Sequence, residues 1–167
     1  MEMILISSCL LGAKVRYHGG DAYCRHPLLE RWIGERRLIS LCPEVKGGAS
    51  TPRSPSEIIG PGAGLSVLSK VAKIKNKEGS DVTSVYVKGA HIALESVRKN
   101  NIKMAILKDN SPSCGNSFIY DGTFTNQKVP GMGITATLLV QHGVKVFSEN
   151  QLEEAGNYLI IIEANGS

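Results

Sequence analysis

Short apolar runs alternate with helix-period segments along most of this chain, and that alternation leaves few architectures open. Residues 3–8 (MILISS), 38–41 (LISL) and 104–107 (MAIL) read as buried strands, each short, apolar and followed by polar or turn-forming residues. Between the first two lies PLLERWIGERR, where Pro27 suits the first turn of a helix and the apolar residues fall at helical spacing. Residues 84–99 place Val87, Ala90, Leu94 and Val97 on one helical face, with Arg98 and Lys99 at the end where cations offset the helix dipole. A further helix is predicted within residues 131–143, ended by Gly143, followed by a strand over 144–148 and a last helix over 152–164. Strands that alternate with helices imply an α/β fold: a largely parallel open sheet, Rossmann-like, with helices on both faces.

A chain of 167 residues with 42% hydrophobic content suits one core, so a single domain over residues 1–167 is expected, with 150–167 as a helical tail. Residues 43–66 (PEVKGGASTPRSPSEIIGPGAGLS) are rich in Gly, Pro and Ser and are predicted to form a long ordered loop over the functional site. The 19 basic and 15 acidic residues leave a net charge of +4 without a long run of either sign, so there is no strong nucleic-acid signal. No segment approaches the roughly 20 apolar residues of a membrane span. The apolar run before Cys9 lacks a basic leader and is short for an export core, which makes the expected location cytoplasmic. The glycines match neither a P-loop nor a dinucleotide fingerprint.

Open parallel sheets bind ligands at the carboxyl ends of their strands. Cys9, Cys42 and the loop of Cys114 each follow a predicted strand, so the three thiols should project from one edge of the sheet. A lone buried cysteine is commonly only a small apolar core residue. Three in equivalent positions outweigh that reading, and in a reducing compartment they are not disulfides. No C-x-x-C pair of the kind that marks a structural zinc site is present, and separations of 33 and 72 residues suit a site that the fold assembles. Three thiolates without an obvious fourth ligand fit a 4Fe–4S cluster with one open iron, a Lewis acid able to take sulfur or oxygen from a substrate. Cys24, outside the strand-end loops, is expected to be incidental, although it is the residue able to close the cluster as a fourth ligand.

Glu44, two residues beyond Cys42 and stiffened by Pro43, is a candidate general acid–base. Ser111 and Ser113 flank Pro112 just before Cys114; either can cap a turn or position water or a proton at a substrate. Arg16, Lys46, Arg53 and Lys108 are candidates to orient an anionic or carbonyl-rich substrate. His18, His26, His91 and His142 show no ligand spacing, and Asp21 and Asp121 read as turn formers.

ISSCLLG with RYHGG, LCPEVKGG with TPRSPSEI, DVTSVYVKGA, LKDNSPSCGNSFIYDGTF, GMGITATLL and VFSE follow one another in an order and spacing that resembles the thiouracil desulfidase family, over about residues 3–149. The resemblance implies a small α/β protein that binds a 4Fe–4S cluster on Cys9, Cys42 and Cys114 and hydrolytically replaces the sulfur of a thiolated uracil by oxygen. It implies Glu44 as the acid–base carboxylate and a serine of the SPSCG loop, Ser111 or Ser113, as its assistant. The expected partner is a small thiolated pyrimidine. Cys24 is not part of the resemblance. Two other readings stay open at this level: a cluster-dependent sulfur-transfer enzyme acting on nucleotides or tRNA, and a non-catalytic iron–sulfur or zinc protein.

Overall fold

The computed structural model describes residues 1–166; Ser167, at the end of the expected tail, lies outside the described residues. Strand β1 (Ile4–Ser7) runs into one 3₁₀ turn, Ser8–Leu11, closed by Gly12 in a left-handed conformation. Helix α1 (Pro27–Gly34) starts where His26 Nδ1 accepts the Leu28 N–H at 3.2 Å and Pro27 occupies the first turn, and it leads to β2 (Leu38–Leu41). Next come the one-turn helix α2 (Pro43–Lys46), strand β3 (Ser56–Ile59), helix α3 (Ala63–Leu68) and strand β4 (Lys73–Asn76). The long helix α4 (Thr83–Lys99) feeds β5 (Met104–Leu107), and a small hairpin of β6 (Phe118–Tyr120) and β7 (Lys128–Pro130) follows. Helix α5 (Ile134–Gln141), strand β8 (Lys145–Ser148) and helix α6 (Leu152–Asn165) complete the chain.

The central sheet has the order β2-β1-β5-β8 and is parallel throughout, with Ile4 opposite both Leu38 and Met104, and Met104 opposite Lys145. Side chains alternate between the two faces of a strand, and here both faces are apolar. Ile4, Ile6, Met104, Ile106 and Phe147 pack with Leu29 and Trp32 of α1 and with Leu152, Ala155 and Leu159 of α6. Leu5, Ala105, Leu107 and Val146 face the other way, onto Ala90, Leu94 and Val97 of α4 and Leu138 and Leu139 of α5. The expected α/β architecture with helices on both faces is therefore the one observed.

At the amino ends of the strands the buried Arg37 joins Glu35 at 2.6 Å and Glu163 at 2.9 Å and donates to the Glu2 carbonyl at 3.2 Å, which ties both chain ends to the sheet. The opposite edge carries the cysteines. Residues 43–66 depart from the expected long loop, since they contain α2, β3 and the start of α3. β3 pairs antiparallel with β4 and buries Ile58 and Glu57 in the process, so the segment gains order from a partner strand whose own pattern, Lys-Ile-Lys-Asn, has a single fully buried residue.

Candidate active site

The chain passes from β1 to β2 on one side and later returns to place β5 on the other side of β1. The carboxyl end of β1 thus lies where the strand order reverses, the place at which open α/β sheets leave a crevice. Cys9 sits in the 3₁₀ turn after β1, Cys42 directly after β2 at the start of α2, and Cys114 in the loop after β5. The three strands are neighbours in the sheet, and all three cysteines line one cavity of about 370 Å³.

Burial pushes the Cys9 thiol up to about 11, with Cys42 adding to the effect and Arg16 and Lys108 opposing it. Burial likewise raises Cys42, against which the amides of Val45 and Glu44 work. Cys114 is raised furthest, by burial and then by Cys42 and Glu44, while the Ser7 hydroxyl favours its thiolate. Each thiol therefore lies within the electrostatic field of another. Among the described residues no three His, Cys, Asp or Glu side chains gather round one point as ligands of a single ion do. Three soft donors spread around one cavity match the demand of a multi-iron cluster, which takes one thiolate per iron. The positive charge of such a group would displace the thiol protons that burial retains.

Glu44, in the first turn of α2, reaches the same cavity and accepts a hydrogen bond at Oε2 from Arg53 Nη2. Arg53 is itself fixed from behind, its Nη1 donating to the Val15 and Ser50 carbonyls at 3.0 Å. Burial works against its charge, and the neighbouring Glu44 more than offsets this, holding the guanidinium above its ordinary range. Arg53 Nε is buried without a hydrogen-bond partner among the described residues. Such a donor is costly to leave unpaired.

The two candidate serines part company. Ser111 lines the cavity, and its Oγ accepts the N–H of Ser113 at 3.1 Å and of Cys114 at 2.7 Å. Two accepted bonds occupy the oxygen's lone pairs and leave the O–H as a donor. Ser113 is fully buried off the cavity wall and shares a 2.8 Å hydrogen bond with Thr135 Oγ1.

Arg16 and Lys108 are on the wall, and Lys108 is paired with Glu149 at 2.5 Å. Lys46 is exposed and off the wall, because two residues along a helix are about 200° round it from Glu44. Cys24 also lies off the wall, against the α1 and α6 layer, its N–H bonded to the Leu10 carbonyl at 3.0 Å. Asp21 and Asp121 form the expected turns, each accepting the N–H two residues on at 2.9 Å.

Three wall residues escape a reading of the sequence alone. Tyr86, on α4, is buried; burial and then the charge of Glu44 raise its phenol. Its place in the helical periodicity marks it as core and nothing more. Asp109, just after β5, accepts at Oδ1 from the amides of Asn110, Asn116, Ser117 and Phe118, at 3.0, 2.9, 3.1 and 3.3 Å. It knots the loop that carries Cys114, and a polar residue directly after an apolar strand was the available signal. Glu57 is buried on β3 and has no sequence signal, since its segment reads as loop.

The chain is similar to known proteins over most of its length. A family model described as 2-thiouracil desulfurase matches residues 4–151. A curated protein of Bacillus subtilis (strain 168), the uncharacterized protein YbbK, is 47% identical over 152 residues, which is 91% of this chain and 99% of that protein. Among solved structures, a [4Fe-4S]-dependent thiouracil desulfidase, TudS, is similar with a TM-score of 0.88 and 38% identity, over 96% of this chain and 99% of that one.

Proposed function

Because the chain belongs to the 2-thiouracil desulfurase family, we propose that it hydrolyses the carbon–sulfur bond of a small thiolated uracil, leaving a carbonyl oxygen and releasing hydrosulfide. Cys9, Cys42 and Cys114 are the residues that would hold a 4Fe–4S cluster, with one iron left for the substrate. The observation that carries the proposal is their placement at the ends of three adjacent parallel strands around one cavity, beside Glu44 and Ser111. When bound, the cluster would supply a Lewis-acidic iron for the thiocarbonyl sulfur.

The remaining steps fall to side chains. Arg53 engages Glu44 Oε2 and Tyr86 lies against the same carboxylate, which would take a proton from the attacking water. The Ser111 hydroxyl, its lone pairs committed to two amides, would donate to the oxygen or sulfur on which charge develops. Arg53 Nε–H lacks an acceptor, and a pyrimidine carbonyl oxygen would supply one. The balance is that of a hydrolysis: water gives its oxygen to the ring carbon, one of its protons leaves on sulfur as hydrosulfide, and the other passes through Glu44 to solvent.

Protein purified without oxygen tests this directly. About four irons and four labile sulfides per chain are expected, with loss of the thione absorption of 2-thiouracil and release of one hydrosulfide per uracil formed. A cluster-loaded protein that leaves 2-thiouracil untouched rejects the reaction; stoichiometric zinc without labile sulfide rejects the cluster.

A further inference from the structure

The loop between β6 and β7 spends a buried carboxylate on holding one aromatic ring in place. Glu57, 7% exposed, projects from β3 and accepts at Oε1 the N–H of Gly122 at 3.0 Å and of Phe124 at 3.2 Å. Phe124 has φ +57°, a left-handed backbone that a bulky residue rarely adopts and that persists only where the surroundings impose it. Gly122, at φ +90°, lies so close to β3 that a Cβ there would stand 2.6 Å from the Ile58 carbonyl. Asp121 braces the same turn through the Thr123 N–H and hydroxyl, at 2.9 and 2.6 Å.

The half-buried Phe124 lines the cavity that the three cysteines line. The other aromatic residues of that wall are engaged: Tyr86 is buried against Glu44, Tyr17 meets the His18 ring at 5.0 Å, and Tyr120 carries Lys128 Nζ 5.8 Å above its ring. Phe124 has no aromatic or cationic ring partner among the described residues.

We propose that Phe124 is the stacking platform for the planar pyrimidine ring and that Glu57 is the positioning residue that sets its angle. The assignment rests on the desulfidase reading for its substrate, but on the loop alone for its geometry. A flat heterocycle offers a π face to an apolar ring, and no hydrogen bond from Phe124 is required.

Cluster-loaded wild type and variants are compared in two measurements, with iron content determined for each. In turnover of 2-thiouracil, Phe124→Ala raises KM about 5- to 100-fold, the range expected for loss of base stacking. Its kcat stays within about twofold, because the interaction is made equally before and during the reaction. Phe124→Tyr stays near wild type, and Phe124→Leu, which keeps bulk without a π face, behaves as Phe124→Ala. Glu57→Ala raises KM comparably, Glu57→Gln restores it by keeping an acceptor oxygen, and Glu57→Ala combined with Phe124→Ala is no worse than Phe124→Ala.

In calorimetric binding, wild type prefers uracil over its puckered 5,6-dihydro form, and Phe124→Ala loses the preference. An unchanged KM in Phe124→Ala, a retained preference, or additive Glu57 and Phe124 effects overturns the assignment and leaves the desulfidase reading intact. Preferential binding of uracil by wild type that cannot turn over 2-thiouracil does the reverse.

Discussion

At the scale of single residues the site divides into groups that face the cavity and groups that hold them there, and the two kinds answer differently to substitution. Ser111→Ala removes a hydroxyl from the cavity wall together with the acceptor of two amides. Its expected effect is a fall in desulfidation kcat of about 10²-fold, read with 2-thiouracil at unchanged iron content. Ser113→Ala leaves the wall alone, and its expected cost is about 1 kcal/mol of stability with little change in kcat, because what is lost is the bond to Thr135 and the long 3.8 Å contact that the Cys114 thiol makes to the hydroxyl. Asp109 is a holder. Burial acts to raise its carboxyl, four backbone amides outweigh this, and the net shift is downward. A folded-state value below the unfolded one stabilises fully above about pH 4, the unfolded value, and is lost as pH falls through the depressed folded value. Urea unfolding should therefore show wild type ahead of Asp109→Asn at pH 7, with the gap narrowing towards pH 3. Asp109→Ala, which orphans four amides, should cost about 2–3 kcal/mol at pH 7. The cysteines were legible in the sequence because each follows an apolar run. Arg53 could be named as a candidate, but its link to Glu44 spans nine residues of irregular chain and leaves no periodic trace.

Between elements, α2 and α4 come into close approach. A Cβ on Gly89 would lie 2.0 Å from the Pro43 carbonyl oxygen, and one on Gly47 would lie 2.0 Å from that of Val85, so the two backbones touch without side chains between them. Through this contact α4 sets the height at which α2 presents Cys42 and Glu44. In a free helix Gly→Ala would gain about 1 kcal/mol. Here overpacking, at about 1–3 kcal/mol, opposes and exceeds that gain. Gly89→Ala is expected to lower the melting temperature and, by displacing α2, to reduce iron retained after desalting; a melting temperature above wild type would refute the contact's role. The long elements could be read because their burial is periodic, as in α4, where Ala90, Leu94 and Val97 are buried. β7 could not, since all three of its residues are exposed and only pairing with β6 makes it a strand. For the same reason residues 43–66 look like loop until β4 is brought beside β3.

For the whole molecule, the fold class followed from the alternation of strand and helix, whereas the order β2-β1-β5-β8 did not, because local patterns carry no record of which strand lies beside which. If the cluster binds only the folded chain, loading must raise the melting temperature, and its removal by a chelator under oxidising conditions must lower it. Equal melting temperatures at confirmed iron contents of four and zero would mean that the cysteines do not hold it in the folded state. The two edges of the sheet carry separate tasks: Arg37 and its carboxylates fasten the chain ends at one, and the cavity opens at the other. That the three thiols sit on adjacent strands but 33 and 72 residues apart along the chain has a consequence for biogenesis. A zinc finger keeps its ligands close together in sequence, so its ion can gather them and fold the peptide. If Cys9, Cys42 and Cys114 hold a cluster, the polypeptide must finish its long-range strand pairing before any chelate can form, and iron would arrive last, through the cavity mouth, into a receptacle that newly made protein has already completed.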